Sequence, residues 1–232
     1  MFIHKIRQNI WIVRGILSSI YFNFHHLPFR QAIYMPILLR RPKIVSAKGK
    51  IHIQAEKITP GMIKLGVNRV SICPPTGIMI ENKGEIIFQG KCCIGNDSYI
   101  SVGETGKIIF GNGFSASANL KIACYHLIEF GQNTLCGWEC MFVDTDFHRM
   151  KYLDGRESPK AYGPIRIGDE CWFGFKSVIQ KNTVLPNRTT VASNSLVNKA
   201  YDIPKASIIA GQPAKLVKTG IYRDMNDDVI SY

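Results

Sequence analysis

Of the six histidines in the chain, one stands in a setting that suggests proton transfer. His148 closes the segment Asp144-Thr145-Asp146-Phe147-His148. A neutral imidazole can take the proton of an attacking hydroxyl, and a carboxylate on the other ring nitrogen fixes the tautomer and stabilises the imidazolium. Asp146 and Asp144 are the candidate carboxylates; both are equally suited to forming turns. The competing reading of His148 is an idle loop residue. His4, His25 and His26 fall in a basic N-terminal stretch, His52 has no partner pattern, and His126 in KIACYHLIEF fits a corner.

The elements that would hold these residues are legible as a period. From Ile167 the sequence divides into IGDECW, FGFKSV, IQKNTV, LPNRTT, VASNSL and VNKAYD. Apolar residues lead at a strict spacing of six: Ile167, Phe173, Ile179, Leu185, Val191 and Val197. Neither a 3.6-residue helix nor an alternating strand has that period. Position five is small or short in Cys171, Ser177, Thr183, Thr189 and Ser195. Together these are the marks of a parallel β-helix, in which each hexad gives a short strand and a corner and stacked coils bury one apolar column. The phase recurs upstream at Ile94, Ile100, Phe110, Phe130, Cys136 and Phe142. A polar break from about 149 to 164 reads as an excursion loop, and such loops often carry function.

The chain has 232 residues, 46% of them hydrophobic, with a mean hydropathy of +0.00, which suits a folded domain rather than a disordered chain or a polytopic membrane protein. Its net charge of +12 is concentrated: the first fifty residues hold nine Lys and Arg and no acid. That is unlike a uniformly basic nucleic-acid binder. Three segments are expected: a basic, apolar helical arm over 1–45, the β-helix over 46–220, and a C-terminal tail over 221–232. Arg14 disfavours a spanning helix in the arm. Its aromatic residues Trp11, Tyr21, Phe22 and Phe24 suit peripheral docking on the cytoplasmic face of a membrane, with packing on a neighbouring subunit as the alternative. After Pro204 the sequence is expected to leave the hexad phase and cap the open end of the β-helix. The seven cysteines include the adjacent Cys92 and Cys93 and no CxxC pair, so neither a disulfide framework nor zinc is expected, and a reducing cytoplasmic compartment fits.

The hexads, the DTDFH segment, IGDECWFG and AGQPAK together resemble the left-handed β-helix acyltransferases, and among them the sugar O-acetyltransferases of bacterial surface polysaccharides and small glycosides. The resemblance spans about residues 85–218. It implies an all-β left-handed prism, a homotrimer with active sites between subunits, and acetyl-CoA as co-substrate without a metal. It also implies transfer to a hydroxyl of a surface polysaccharide or its lipid-linked precursor. By that resemblance His148 is the base and Asp146 the better match for its orienting acid. A backbone N–H near Gly174 and Phe175 is the oxyanion donor. Trp172 shapes the acceptor cleft, unless it only caps a corner, and Asn119 is a further candidate for sugar or donor. Coenzyme A contacts are expected at Gly174, Ser193 and Asn198, with Lys199 and Lys215 near its phosphates unless they are merely solvated. Two departures from the family pattern lie on this path: Ser193-Asn194 where Ala-Gly is usual, and Phe175 where a smaller residue is usual.

Three other functions compete with this reading. N-acetylation of an amino sugar would use the same base and donor site. A metal-dependent hydratase of the carbonic anhydrase type needs three converging imidazoles, and only His126 and His148 lie in the repeats. A noncatalytic scaffold would use the prism alone.

Overall fold

A computed structural model describes residues 15–227. The chain winds through three parallel sheets in cyclic order, as a prism of triangular section. The first sheet starts at Ile37–Leu39 and includes Ile63–Val67, Cys92–Gly95, Phe114–Ala116, Leu135–Cys136, Trp172–Phe173 and Thr190–Val191. The second runs from Pro42–Ala47 through Lys121–Cys124, Met141–Val143 and Val178–Gln180 to Leu196–Val197. The third runs from Lys50–Ile53 through Leu127–Phe130 and Ile165–Ile167 to Val184–Leu185.

The leading residues of the hexads build this core. Cys136, Phe173, Val191 and Ile209 lie in register on the first sheet. Phe142, Ile179 and Val197 do so on the second, and Phe110, Phe130, Ile167 and Leu185 on the third. All are at most 4% exposed. Phe88, Phe110 and Phe130 stack face to face along the axis at 5.3 and 5.5 Å. Each fully buried ring contributes about 2–3 kcal/mol from removal of apolar surface.

The corners follow a finer rule than small residues at position five. Position four of successive hexads, at Glu170, Lys176, Asn182, Arg188 and Asn194, is left-handed, with φ between 57 and 64°. Such a conformation costs a non-glycine residue about 1–2 kcal/mol. The next residue offsets part of it: Ser177, Thr183 and Thr189 each donate a hydroxyl bond to the carbonyl three residues back, at 2.7–2.8 Å.

Two boundaries differ from expectation. The coils begin at Ile37, inside the segment assigned to the arm, because the proline-punctuated Ile37-Leu38-Leu39 forms a strand against Ile63–Val67 rather than a linker. At the other end the hexad phase does not stop at Pro204. Ile209 is fully buried, and Ser207 repeats the position-five hydroxyl bond to Pro204 at 2.7 Å. Only beyond Gly211 does the chain reverse, into the antiparallel strand Ala214–Thr219 that covers the edge of Ser207–Gly211. Residues 221–227 contain no helix.

The opposite end is closed by the arm. A helix over 15–26 and a short helix Phe29–Ala32 precede the first strand. Ser19 and Asn23, one helical turn apart, are buried and serve the free edge of that strand. Asn23 binds both the N–H and the C=O of Ile37, and the Ser19 hydroxyl accepts the N–H of Leu39 at 2.9 Å. An exposed strand edge is thereby satisfied within the chain. Trp11 and Arg14 lie outside the described residues.

Candidate functional site

The excursion leaves the prism where the second sheet passes to the third, between Met141–Val143 and Ile165–Ile167. Its root is anchored. Asp146 N–H donates to Ala161 at 2.7 Å and Gly163 N–H to Asp144 at 3.0 Å. His148 projects just beyond this root, exposed and without a hydrogen bond or ion pair among the described residues. Its neighbour Phe147 packs edge-on against Tyr125 at 5.1 Å. His26, by contrast, is held at about 4 by burial and by His25, so it is neutral at physiological pH.

Neither aspartate engages His148. Asp144 is fully buried, and its two oxygens accept the N–H groups of Tyr125 and His126, each at 2.8 Å. It therefore braces the corner of the coil below, the turn-forming alternative in a buried form. Asp146 pairs with Lys181 at 2.5 Å, and the same ammonium donates to the carbonyl of Lys160 at 2.8 Å. Lys181 thus ties the outgoing and returning arms of the loop together, and Asp146 positions the loop carrying His148. Lys181 escaped the sequence reading. Its signal was available in the hexad register, which sets Gln180 opposite Val143 and so places the lysine beside the loop root. Replacing Asp144 with alanine is expected to strip two part-buried N–H groups of their acceptors and to cost about 2 kcal/mol, measurable by urea denaturation.

A second group of candidates occupies another part of the prism. Trp172 lies on the outer surface of the first sheet, 40% exposed. Gly174, Phe175 and Ser193 follow on the edge between first and second sheets. A Cβ on Gly174 would come within 2.6 Å of Ser193, so glycine is needed for these coils to stack. The N–H of Gly174 is already given to Val191 at 2.8 Å. That of Phe175 has no partner among the described residues, so of the two N–H groups it is the one free to meet a ligand. The Phe175 ring lies flat on Trp138 at 5.4 Å, so the larger residue at this position is accommodated by an aromatic pair. Asn119 sits lower on the same edge, in a groove of about 420 Å³ lined also by Asp97, Tyr99, Lys121 and Met141. Its Oδ1 is buried without a partner.

The expected coenzyme A contacts divide between these places. Gly174, Phe175 and Ser193 share one edge. Asn198 and Lys199 follow Leu196–Val197 and share the edge of His148, where Lys199 lies over the ring of Tyr201 at 5.4 Å. Lys215 stands on the closing strand opposite Ala210. The second sheet lies between these two edges. No group of three His, Cys, Asp or Glu residues that could hold a metal occurs among the described residues, and the described cysteines are all unpaired thiols.

Comparison with known proteins gives related sequences. An uncharacterised 24.8 kDa protein in the cps region of Klebsiella pneumoniae is 30% identical over 230 residues, covering 95% of this chain and 98% of its own. The galactoside O-acetyltransferase of Escherichia coli is 28% identical over 155 residues, 64% of this chain and 71% of that protein. Among solved structures, the polySia-specific acetyltransferase NeuO overlaps 82% of this chain and 91% of its own, with 14% identity and a TM-score of 0.47. No family profile matches the chain.

Proposed function

The chain belongs to the hexapeptide-repeat, left-handed β-helix acyltransferase superfamily, and from that premise we propose that it is an acetyl-CoA-dependent O-acetyltransferase. Its acceptor is a sugar hydroxyl of a bacterial surface polysaccharide or of a lipid-linked precursor. The observation that carries this reading is His148: an exposed imidazole with no partner of its own, held at the edge of the prism by a clamped loop. In that role it takes the proton of the sugar hydroxyl as the oxygen attacks the thioester carbonyl of acetyl-CoA. The oxyanion is met by the Phe175 N–H, and collapse expels the thiolate of coenzyme A, which recovers the proton from the imidazolium. Holding donor and acceptor together supplies much of the remaining acceleration. The galactoside O-acetyltransferase relative supports a sugar acceptor, and the relative in a cps region supports a polysaccharide one.

The test is acetyl transfer from labelled acetyl-CoA to glycan acceptors, followed by mild alkali. An O-acetyl ester is expected, and the label should be lost on treatment. An alkali-stable product would identify an amide and the N-acetylation alternative, and failure to bind coenzyme A would return the scaffold.

The division of the site between two edges supports a homotrimer with each active site at a subunit boundary. The loop carries exposed Met150 and Leu153, the latter with no neighbouring cover at all, as a segment meeting another copy would. For the arm we propose peripheral contact with an anionic membrane surface on the cytoplasmic side. Its helix is buried on one side and presents Ile16, Leu17, Ile20, Tyr21 and Phe24 on the other, each at least 42% exposed. Arg30, Arg40, Arg41 and Lys43 follow with no acid before Glu56, a pattern matched to anionic headgroups. No helix among the described residues is long and apolar enough to cross a membrane. Sedimentation with phosphatidylglycerol vesicles should capture the protein, phosphatidylcholine vesicles should not, and the triple change Leu17→Ser, Tyr21→Ser, Phe24→Ser should abolish capture.

A further inference from the structure

We propose that Lys64, Arg69 and Lys91 form a diphosphate-binding groove that anchors an acceptor glycan whose sugar reaches Trp172. This deepens the acetyltransferase reading and rests on it for the identity of the acceptor. The groove measures about 560 Å³ on the outside of the first sheet and is also lined by the hydroxyl residues Thr59 and Ser115. No carboxylate lines it.

The charge of this groove is unmixed. Three other grooves of the prism combine basic side chains with carboxylates: Lys121 and Lys43 each share one with Asp97, and Arg166 shares one with Glu129 and Asp169. Lys64 and Lys91 have no ion pair among the described residues, and Arg69 bonds only the neutral hydroxyl of Ser115. Three cations facing one groove repel each other unless an anion joins them. A diphosphate supplies two adjacent charged groups and enough acceptor oxygens for all three.

Position relates the groove to the chemistry. Lys64 lies opposite Cys93, Cys93 opposite Ser115, Ser115 opposite Leu135, and Leu135 opposite Trp172. These residues form one outward row. At about 4.8 Å per strand, Ser115 is about 10 Å from Trp172 and Lys64 about 19 Å. A short sugar chain attached to a diphosphate held here runs up the row to Trp172. At its lower end the row meets Leu38, opposite Lys64 and 40% exposed beside the capping helices. A polyprenyl carrier and a nucleotide both present this diphosphate, and it is the group recognised.

The test measures binding of inorganic pyrophosphate by calorimetry with saturating coenzyme A present, so that the donor's own diphosphate site is filled. Wild-type protein should bind, and the triple change Lys64→Ala, Arg69→Ala, Lys91→Ala should weaken binding by at least about tenfold, with circular dichroism confirming the fold. Equal affinity in the two proteins, or binding abolished by coenzyme A, would overturn the proposal. Competition by farnesyl-diphosphate-N-acetylglucosamine supports a lipid source, and competition by UDP-N-acetylglucosamine a nucleotide source. Competition by neither overturns the acceptor role. Because binding is read without turnover, a groove lost in the triple variant of a protein that transfers no acetyl group would sink the enzymatic reading and leave the groove standing.

Discussion

Changing His148 to alanine is expected to lower kcat for acetyl transfer by about 10²–10⁴-fold, the range a positioned general base supplies, with little change in the KM for acetyl-CoA. The structure makes this a clean experiment. The side chain is exposed and bonds to nothing else among the described residues, so its removal leaves no buried group unsatisfied, and the melting temperature should stay near that of the parent. A loss confined to kcat marks a group that acts in the transition state rather than in uniform binding. Near-equal rates from the two proteins would reject His148 as the base. Asp146 separates positioning from proton transfer. Its carboxylate holds Lys181 rather than the imidazole, so Asp146→Asn should loosen the loop and increase its cleavage by trypsin. It should lower kcat less than loss of His148 does.

The core was the most legible part of this protein because its period is covalent in origin: one inward residue per hexad, wherever the chain is in the coil. Ile167, Phe173, Ile179, Leu185, Val191 and Val197 all fall inside for that reason. The corners were half legible. Small residues at position five show in the sequence, whereas the left-handed residue before them is Glu, Lys, Asn or Arg and has no type of its own. Asp144 illustrates the limit at the site. A carboxylate four residues from a candidate base looks like its partner, yet burial and two backbone N–H groups eighteen and nineteen residues away claim it. Those contacts arise from stacking of coils. The cationic groove was hidden similarly, since Lys64, Arg69 and Lys91 meet only after the irregular stretch between Val67 and Ile78 has folded against the first sheet.

The division of candidates over two edges leads to the largest effect expected of the assembly. If each active site joins the loop edge of one copy to the Trp172 side of another, two inactive proteins can repair each other. His148→Ala alone lacks the base at every site, and Trp172→Ala alone is expected to lack the acceptor wall at every site. When the two are unfolded together in equal amounts and reassembled, a site takes its loop and its wall from different chains. By random assembly of a closed ring, about a quarter of the sites then carry both intact residues. The mixture should recover about a quarter of the wild-type rate, while either variant reassembled alone should stay at its own low level. A site built within one chain has no such route, because each chain in the mixture carries one defect. Absence of recovery from a mixture shown to contain hybrid trimers would therefore place His148 and Trp172 in the same subunit's site or remove one of them from it.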